Sequence, residues 1–227
     1  MATVIFSNMG DTDSAVLKYI WLGLPNVKVV EVGRNTKGGY EMATEAIEQE
    51  HDTLIMCGHG MPQGLLNPNM KETTYLVDRH NKDKIRCNRV IGIWCHAKSF
   101  AMQQGLRGFW SSMFISNRME AMMNNIHNVS SKSITEQEIL FGIRLNELIR
   151  NYVPMKDWVK NLRNEADYTN AVVKFNYDGL RYFKTEPKPE DLTANLWYKK
   201  AMDFEKKRWN IDVEPAGNKI TNALVKV

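Results

Sequence analysis

The chain has 227 residues, of which 43% are hydrophobic and 25% are charged, and its net charge is +4. This length predicts one domain with an extension, and the mild, scattered positive charge argues against a dedicated nucleic-acid binder. No apolar run approaches the roughly 20 residues of a membrane span, and the first residues lack the pattern of a signal peptide. We therefore expect a cytoplasmic protein that has no membrane partner.

The first half of the chain alternates strand and helix patterns. Strands are expected at residues 3–7, 27–33, 52–58, 89–95 and 108–116, and helices at 11–24, 40–50, 98–105 and 117–127. The helix at 11–24 is expected to begin with Asp13 or Ser14 as its N-cap. The strands are continuous apolar runs, which is typical of parallel strands that are covered on both faces. This half therefore predicts an α/β sandwich of three layers, with a mainly parallel sheet between helices.

The second half has a mainly helical pattern. A helix is expected over 134–153, where Thr135 is the predicted N-cap and Glu138 completes a capping box. A second helix follows at 154–166, and residues 170–183 predict a β-hairpin that turns at Asp178 and Gly179. We expect an α/β domain over 1–185, with its core at 1–130 and a helical and hairpin part at 131–185. A C-terminal helical extension is expected over 186–227.

Two of the apolar strands end in residues suited to chemistry. The stretch "LIMCGHG" places His59 between two glycines, and "VIGIWCHA" places Cys95 directly before a helix. Carboxyl ends of parallel strands meet at one edge of a sheet, so we expect the two side chains to approach each other if their strands are neighbours. A thiolate forms readily beside a histidine or a helix N-terminus. His59 and Cys95 are therefore the predicted catalytic pair, and the amides of Gly60 and Cys95 are the predicted oxyanion donors.

These two motifs carry a resemblance to a known family. "CGHG" after one apolar strand and "IWCHA" after another resemble the caspase and metacaspase group of cysteine peptidases, which includes separase- and CHAT-like relatives. The resemblance covers about residues 1–130. It implies a caspase-like fold, a His59–Cys95 dyad and a protein or peptide substrate. We expect no cofactor and no metal ion.

The sequence departs from the family at the position that sets specificity. Relatives that cleave after arginine or lysine carry an acidic residue shortly before the cysteine, whereas this chain has Ile93 and Trp94 there. The specificity pocket could be neutral, or Asp11 and Asp13 could supply a negative wall, although helix capping is the simpler interpretation of both. The remaining candidates for substrate binding are Trp94, Trp110 and Ser111.

Other interpretations of these residues stay open. His59 alone fits a tight turn, and Cys95 alone fits an inert buried thiol. A zinc site from Cys57, His59, Cys95 and His96 is disfavoured by the close spacing of these ligands. A nucleotide-binding, flavodoxin-like domain is disfavoured because the loop after the first strand is acidic and lacks a glycine-rich phosphate motif. The main alternative is an inactive caspase-like module that binds a partner through residues 133–166 and the tail.

Overall fold

The computed structural model describes residues 2–187, so nearly all of the expected extension at 186–227 lies outside the described residues. The strands are β1 (Ala2–Asn8), β2 (Val27–Gly33), β3 (Thr53–Cys57), β4 (Gly60–Met61), β5 (Gly64–Leu66), β6 (Tyr75–Val77), β7 (Arg89–Ile93), β8 (Gly108–Trp110) and β9 (Arg181–Phe183). The α-helices are α1 (Thr12–Ala15), α2 (Gly39–Gln49), α3 (Ala97–Gln104), α4 (Arg118–Met123), α5 (Ser131–Arg150), α6 (Met155–Glu165) and α7 (Ala171–Gly179). Short 3-10 helices occupy Val16–Ile20 and Lys82–Lys84. Within residues 2–187 no helix combines the length and apolar character that a membrane crossing requires.

The main sheet has six strands in the order β2-β1-β3-β7-β8-β9. The first five run parallel, and β9 pairs antiparallel with β8 at the edge. The predicted mainly parallel sheet is therefore confirmed. A second, antiparallel sheet of β4, β5 and β6 follows directly after β3, and the sequence patterns did not indicate it.

Both faces of the main sheet are buried, which explains the continuous apolar runs. Along β1, Val4 and Phe6 pack in one core cluster with side chains of α5, α6 and α7. Ile5 packs in the opposite cluster with side chains of α2 and α3. Because successive residues of a strand point to opposite faces, apolar residues are favoured at successive positions and not only at every second one. The result is a three-layer α/β arrangement, as the strand patterns predict.

The predicted hairpin at 170–183 is wrong. Residues of this segment form α7 and then the short strand β9. The Asn170 side chain accepts hydrogen bonds from the amides of Val172 and Val173, which caps the start of a helix. Gly179 ends that helix, and a Cβ atom there would lie 2.8 Å from Ser112 Cβ. This glycine therefore permits close packing, where the sequence pattern had indicated a hairpin turn.

Two other helices and one strand begin or end differently from the prediction. The segment 11–24 divides into α1 and a 3-10 helix, and its N-cap is Asp11 rather than Asp13 or Ser14. Helix α5 begins earlier than predicted, with Ser130 as its N-cap, so Glu138 does not close a capping box. The strand predicted over 108–116 ends at Trp110, and a loop follows it.

Candidate active site

His59 follows β3 in a segment that is tightly packed on both sides. A Cβ atom at Gly58 would lie 2.6 Å from Ser7 Cβ, and φ at Gly58 is +145°. A Cβ atom at Gly60 would lie 2.0 Å from Trp94 Cδ1. Neither position accommodates a side chain without displacing a neighbour, so the glycines allow the chain to pass between β1 and the Trp94 indole. His59 itself is only 6% exposed.

The contact at Gly60 gives a stability prediction. We expect Gly60→Ala to lower the free energy of unfolding by about 1–3 kcal/mol, because the added methyl group would overpack the core against Trp94. Gly33→Ala is the matched control, since the nearest atom to a Cβ there is Thr36 Oγ1 at 3.8 Å. Denaturant unfolding of both variants measures the difference. Equal stability of the two variants would contradict the packing argument.

The strands that carry His59 and Cys95 are direct neighbours. Cys57 of β3 pairs with Ile93 of β7, and the Gly58 amide donates to the Ile93 carbonyl at 3.2 Å. His59 and Cys95 each lie two residues beyond that pair. Cys57 and Ile93 both pack in the layer with α5, so the two chain segments leave the sheet side by side. The structure thus places both predicted residues at the same carboxyl edge.

Asp11 binds the imidazole of His59. Its Oδ2 lies 2.8 Å from His59 Nε2, and its Oδ1 accepts bonds from Ser14 N (2.8 Å) and Ser14 Oγ (2.6 Å). Burial raises the pKa of Asp11, but the bonds from His59 and Ser14 outweigh this effect and hold the pKa well below its usual range. Asp11 is therefore an ionised carboxylate that caps α1 and orients the ring. In a neutral imidazole that donates from Nε2, Nδ1 is the proton acceptor.

Cys95 lies in the turn between β7 and α3. Its side chain is buried, and the thiol donates to the Phe114 carbonyl with a sulfur–oxygen distance of 3.5 Å. The next residue, His96, has the left-handed conformation with φ of 69° and precedes the first turn of α3. Burial, together with the charge of Lys98, lowers the pKa of His96 to about 4. His96 is therefore neutral at physiological pH. Of these two histidines, His59 is the one whose ring is paired with a carboxylate.

The other two cysteines are in apolar surroundings. Burial raises the pKa of Cys57 far above its usual value. Burial and the charge of Glu50 raise the pKa of Cys87 to about 11. Both are protonated thiols at neutral pH and are poor nucleophiles. Among residues 2–187, no three His, Cys, Asp or Glu side chains are grouped so that they could hold a metal ion.

The ladder between β4 and β5 orients the amide of Gly60. Gly60 faces Leu65, and the neighbouring pair carries the bond from Leu66 N to His59 O at 3.0 Å. Bonded and non-bonded pairs alternate along an antiparallel ladder, so the N–H of Gly60 points away from β5. An oxyanion donor beside His59 requires such an orientation.

Three of the predicted substrate-binding residues lie in the interior. Trp94 and Trp110 are 1% and 0% exposed, and their rings meet edge to face at 5.8 Å between centroids. Ser111 is also buried, and its hydroxyl accepts from Trp94 N (3.0 Å) and donates to Trp94 O (2.8 Å). These three side chains pack in the core next to the Cys95 turn and do not line an open groove. Of the predicted substrate-binding residues, Asp11 and Asp13 alone retain partly exposed side chains.

Sequence reasoning named Asp13 but missed two further acidic side chains beside this site, Glu120 and Glu138. We define the acidic cluster as Asp13, Glu120 and Glu138, which come from α1, α4 and α5. Glu138 lies on the buried stripe of α5 with Ile134, Phe141 and Leu145, so its helical spacing was the available signal. Burial, with the charges of Asp13, Glu120 and Asp11, raises the pKa of Glu138 to about 10. Glu138 is therefore a neutral acid at physiological pH in the folded protein.

Comparison with known proteins finds no relative of this chain. No family model, curated protein or solved structure matches the chain. Any function must therefore be argued from the side chains themselves, which are an Asp–His pair, a thiol at the same edge of the sheet and the acidic cluster.

Proposed function

We propose that this chain is a cysteine endopeptidase with a caspase-like sandwich and a His59–Cys95 dyad. The observation that carries the proposal is the register of β3 and β7, which sets the histidine and the cysteine two residues beyond the paired Cys57 and Ile93. Parallel α/β sheets collect catalytic groups at this edge. A thiol with a carboxylate-bound imidazole nearby is the usual machinery for attack on an acyl carbon.

In the proposed reaction, His59 Nδ1 accepts the proton of the Cys95 thiol, and the sulfur attacks the peptide carbonyl carbon. The amides of Gly60 and Cys95 donate to the oxyanion that forms. His59 then gives its proton to the leaving amine as the carbon–nitrogen bond breaks, which leaves a thioester on Cys95. Water, deprotonated by His59, hydrolyses the thioester and restores the thiol. Protein and peptide substrates suit this chemistry in a reducing compartment such as the cytoplasm.

Asp11 is a positioning residue in this proposal. Its bond of 2.8 Å to Nε2 supports one tautomer of the His59 ring, in which Nδ1 is the base. Its negative charge also lies next to the positive charge that the ring carries after the first step. The same carboxylate caps α1 through Ser14, so the short helix holds it in place.

Thiol labelling coupled to a peptidase assay tests the proposal. We expect iodoacetamide at pH 7 to modify Cys95 first, because the proposed dyad activates its thiol, whereas burial raises the pKa of Cys57 and Cys87 and keeps both protonated. Cleavage of a broad peptide library should fall in proportion to the fraction of Cys95 that mass spectrometry finds modified. Unchanged cleavage by fully modified protein would refute the dyad. Equally slow labelling of all three thiols, with no cleavage, would favour the inactive partner-binding module.

A further inference from the structure

An apolar patch lies on the outer face of α5. Leu140 and Ile143 of this helix are 40% and 38% exposed, and Leu22, in the segment before β2, is 58% exposed. Asn146 joins the two segments, because its Nδ2 donates to the Leu22 carbonyl at 3.1 Å. We define the α5 patch as Leu22, Leu140 and Ile143. Apolar side chains exposed singly are common, whereas an exposed group of them indicates a contact surface.

A shallow pocket of about 400 Å³ opens beside the α5 patch. It is lined by Tyr19, Leu22, Ile143, Asn146, Glu147 and Arg150. Its lining therefore combines apolar side chains of the patch with polar groups at the rim. A pocket of this kind suits one large aromatic side chain, and aromatic anchors in such pockets contribute much of the binding energy at protein interfaces.

Two acidic residues extend the patch along α5. Glu136 and Glu147 are exposed, and with Leu140 and Ile143 they follow the spacing i, i+4, i+7, i+11, which places all four on one face of the helix. Within residues 2–187, Glu147 forms no ion pair, and Glu136 lies 3.8 Å from the highly exposed Lys132. The face therefore suits an apolar occupant that carries positive charge at its ends.

The sequence beyond the described residues contains a segment with the matching pattern. Trp197, Ala201, Phe204 and Arg208 repeat the spacing i, i+4, i+7, i+11. A helix over this segment, as the sequence predicts for the extension, carries these residues on one face. An antiparallel register then gives the pairs Arg208–Glu136, Phe204–Leu140, Ala201–Ile143 and Trp197–Glu147. This register brings a cation to an acid, an apolar side chain to each apolar residue of α5, and the indole to the pocket.

The chain leaves the sheet at the edge that this direction requires. The last residue of β9, Phe183, pairs with Gly108, the first residue of β8, so the chain leaves at the amino edge of the parallel strands. The C-terminal end of α5 lies at the same edge, because Arg150 Nη2 donates to the Gly23 carbonyl shortly before β2 begins. Four strand positions, about 19 Å, separate β9 from β1. Residues 184–193 span up to about 33 Å when extended, so the patch is within reach.

We propose that residues 194–208 form an amphipathic helix that docks antiparallel on the α5 patch of the same chain, with Trp197 in the adjoining pocket. A helix of this length gains most of its stability from packing of its apolar face, so the segment and the patch stabilise each other. The proposal does not depend on the peptidase function, since the α5 patch lies on the outer face of its helix and the proposed dyad lies at the carboxyl edge of the sheet.

Zero-length cross-linking of the full chain tests the docking. A carbodiimide joins a glutamate carboxyl group to a lysine Nζ as an amide, with loss of water, and so reports side chains in contact. The antiparallel register predicts two cross-links, Glu136 to Lys207 and Glu147 to Lys200, which mass spectrometry of the digested protein identifies. In a mixture of unlabelled and isotope-labelled protein, both should join residues of one chain.

Variants on both surfaces make the test specific. Ile143→Asp on α5 and Phe204→Asp in the docked segment should each lower the yield of both cross-links at least about 10-fold, because each buries a charge in the apolar contact. Met123→Asp is the matched control, since Met123 is a 54% exposed apolar residue of α4, and its yield should equal that of the parent.

Each alternative occupant gives a different result. Cross-links between labelled and unlabelled protein would assign the patch to an interface between two copies and overturn the proposal. The exchanged pairs, Glu136 with Lys200 and Glu147 with Lys207, would overturn the antiparallel direction. Cross-links to neither glutamate in the folded parent would show that the segment does not dock there, and the patch would then be open to another protein.

Discussion

Replacement of Cys95 by alanine is expected to lower the rate of peptide cleavage at least ~10⁴-fold, and replacement of His59 by alanine about 10³- to 10⁴-fold. The first variant removes the atom that bonds to the carbonyl carbon. The second removes the group that moves its proton. Steady-state kinetics with one cleaved peptide measure both losses. Circular dichroism and thermal unfolding should show a folded protein in each case.

The double variant provides the sharper test. Because the two side chains act in one step, Cys95→Ala with His59→Ala should lose no more activity than Cys95→Ala alone. Losses that multiply would show that the residues act independently. Asp11→Asn should lose less activity than either single variant, with kcat about 10²-fold lower and KM little changed, because Asp11 orients the ring without touching substrate. Cys87→Ala serves as the control, because this buried thiol contacts the Glu50 carbonyl, away from the site.

Glu138→Gln is expected to stabilise the protein, and increasingly so as the pH rises. The pKa of Glu138 is raised from 4.5 to about 10 in the folded protein. Between these values the folded state holds a proton that the unfolded state has released, so the parent loses stability with rising pH. At pH 7 the loss is about 3 kcal/mol, from 1.36 kcal/mol per pH unit above 4.5. An uncharged glutamine avoids this loss of stability, so Tm should rise by roughly 6–12 °C.

The measurement is the difference in unfolding free energy between Glu138→Gln and the parent from pH 5 to pH 9. Other ionisable groups cancel in this difference, apart from Asp11, Asp13 and Glu120, which face Glu138. Glu136→Gln, on the exposed side of α5, should give a flat difference. A flat difference for Glu138→Gln as well would show that its carboxyl group is not held neutral.

The sheet and the two strand ends could be predicted from the sequence because their signals are local. Continuous apolar runs such as Leu54–Cys57 indicate strands that are buried on both faces, and a glycine on each side of His59 indicates unusual packing. The sheet topology then brings His59 and Cys95 to one edge. The pattern of glycines does not reveal which side chain packs against them. Only the structure shows that Trp94 lies against Gly60.

The acidic cluster and α7 could not be predicted in the same way. Asp13, Glu120 and Glu138 come together only when three helices pack on the sheet, and each has an ordinary local role such as capping. The segment of α7 contains Val172, Val173 and Tyr177, which favour strands when considered alone. Helical burial of these side chains and the cap at Asn170 outweigh that preference.

The register of β3 and β7 also bears on how activity could be lost without unfolding. Side chains alternate between the two layers, so a shift of β7 by one residue against β3 would move the thiol to the layer of α2 and α3. Such a molecule would keep its helices and much of its compactness, yet its sulfur would lie on the opposite side of the sheet from its position in the native register. Spectroscopic evidence of a folded chain is therefore no guarantee of an assembled site. In the proposed peptidase, correct strand pairing is therefore the step that brings His59 and Cys95 to the same side of the sheet.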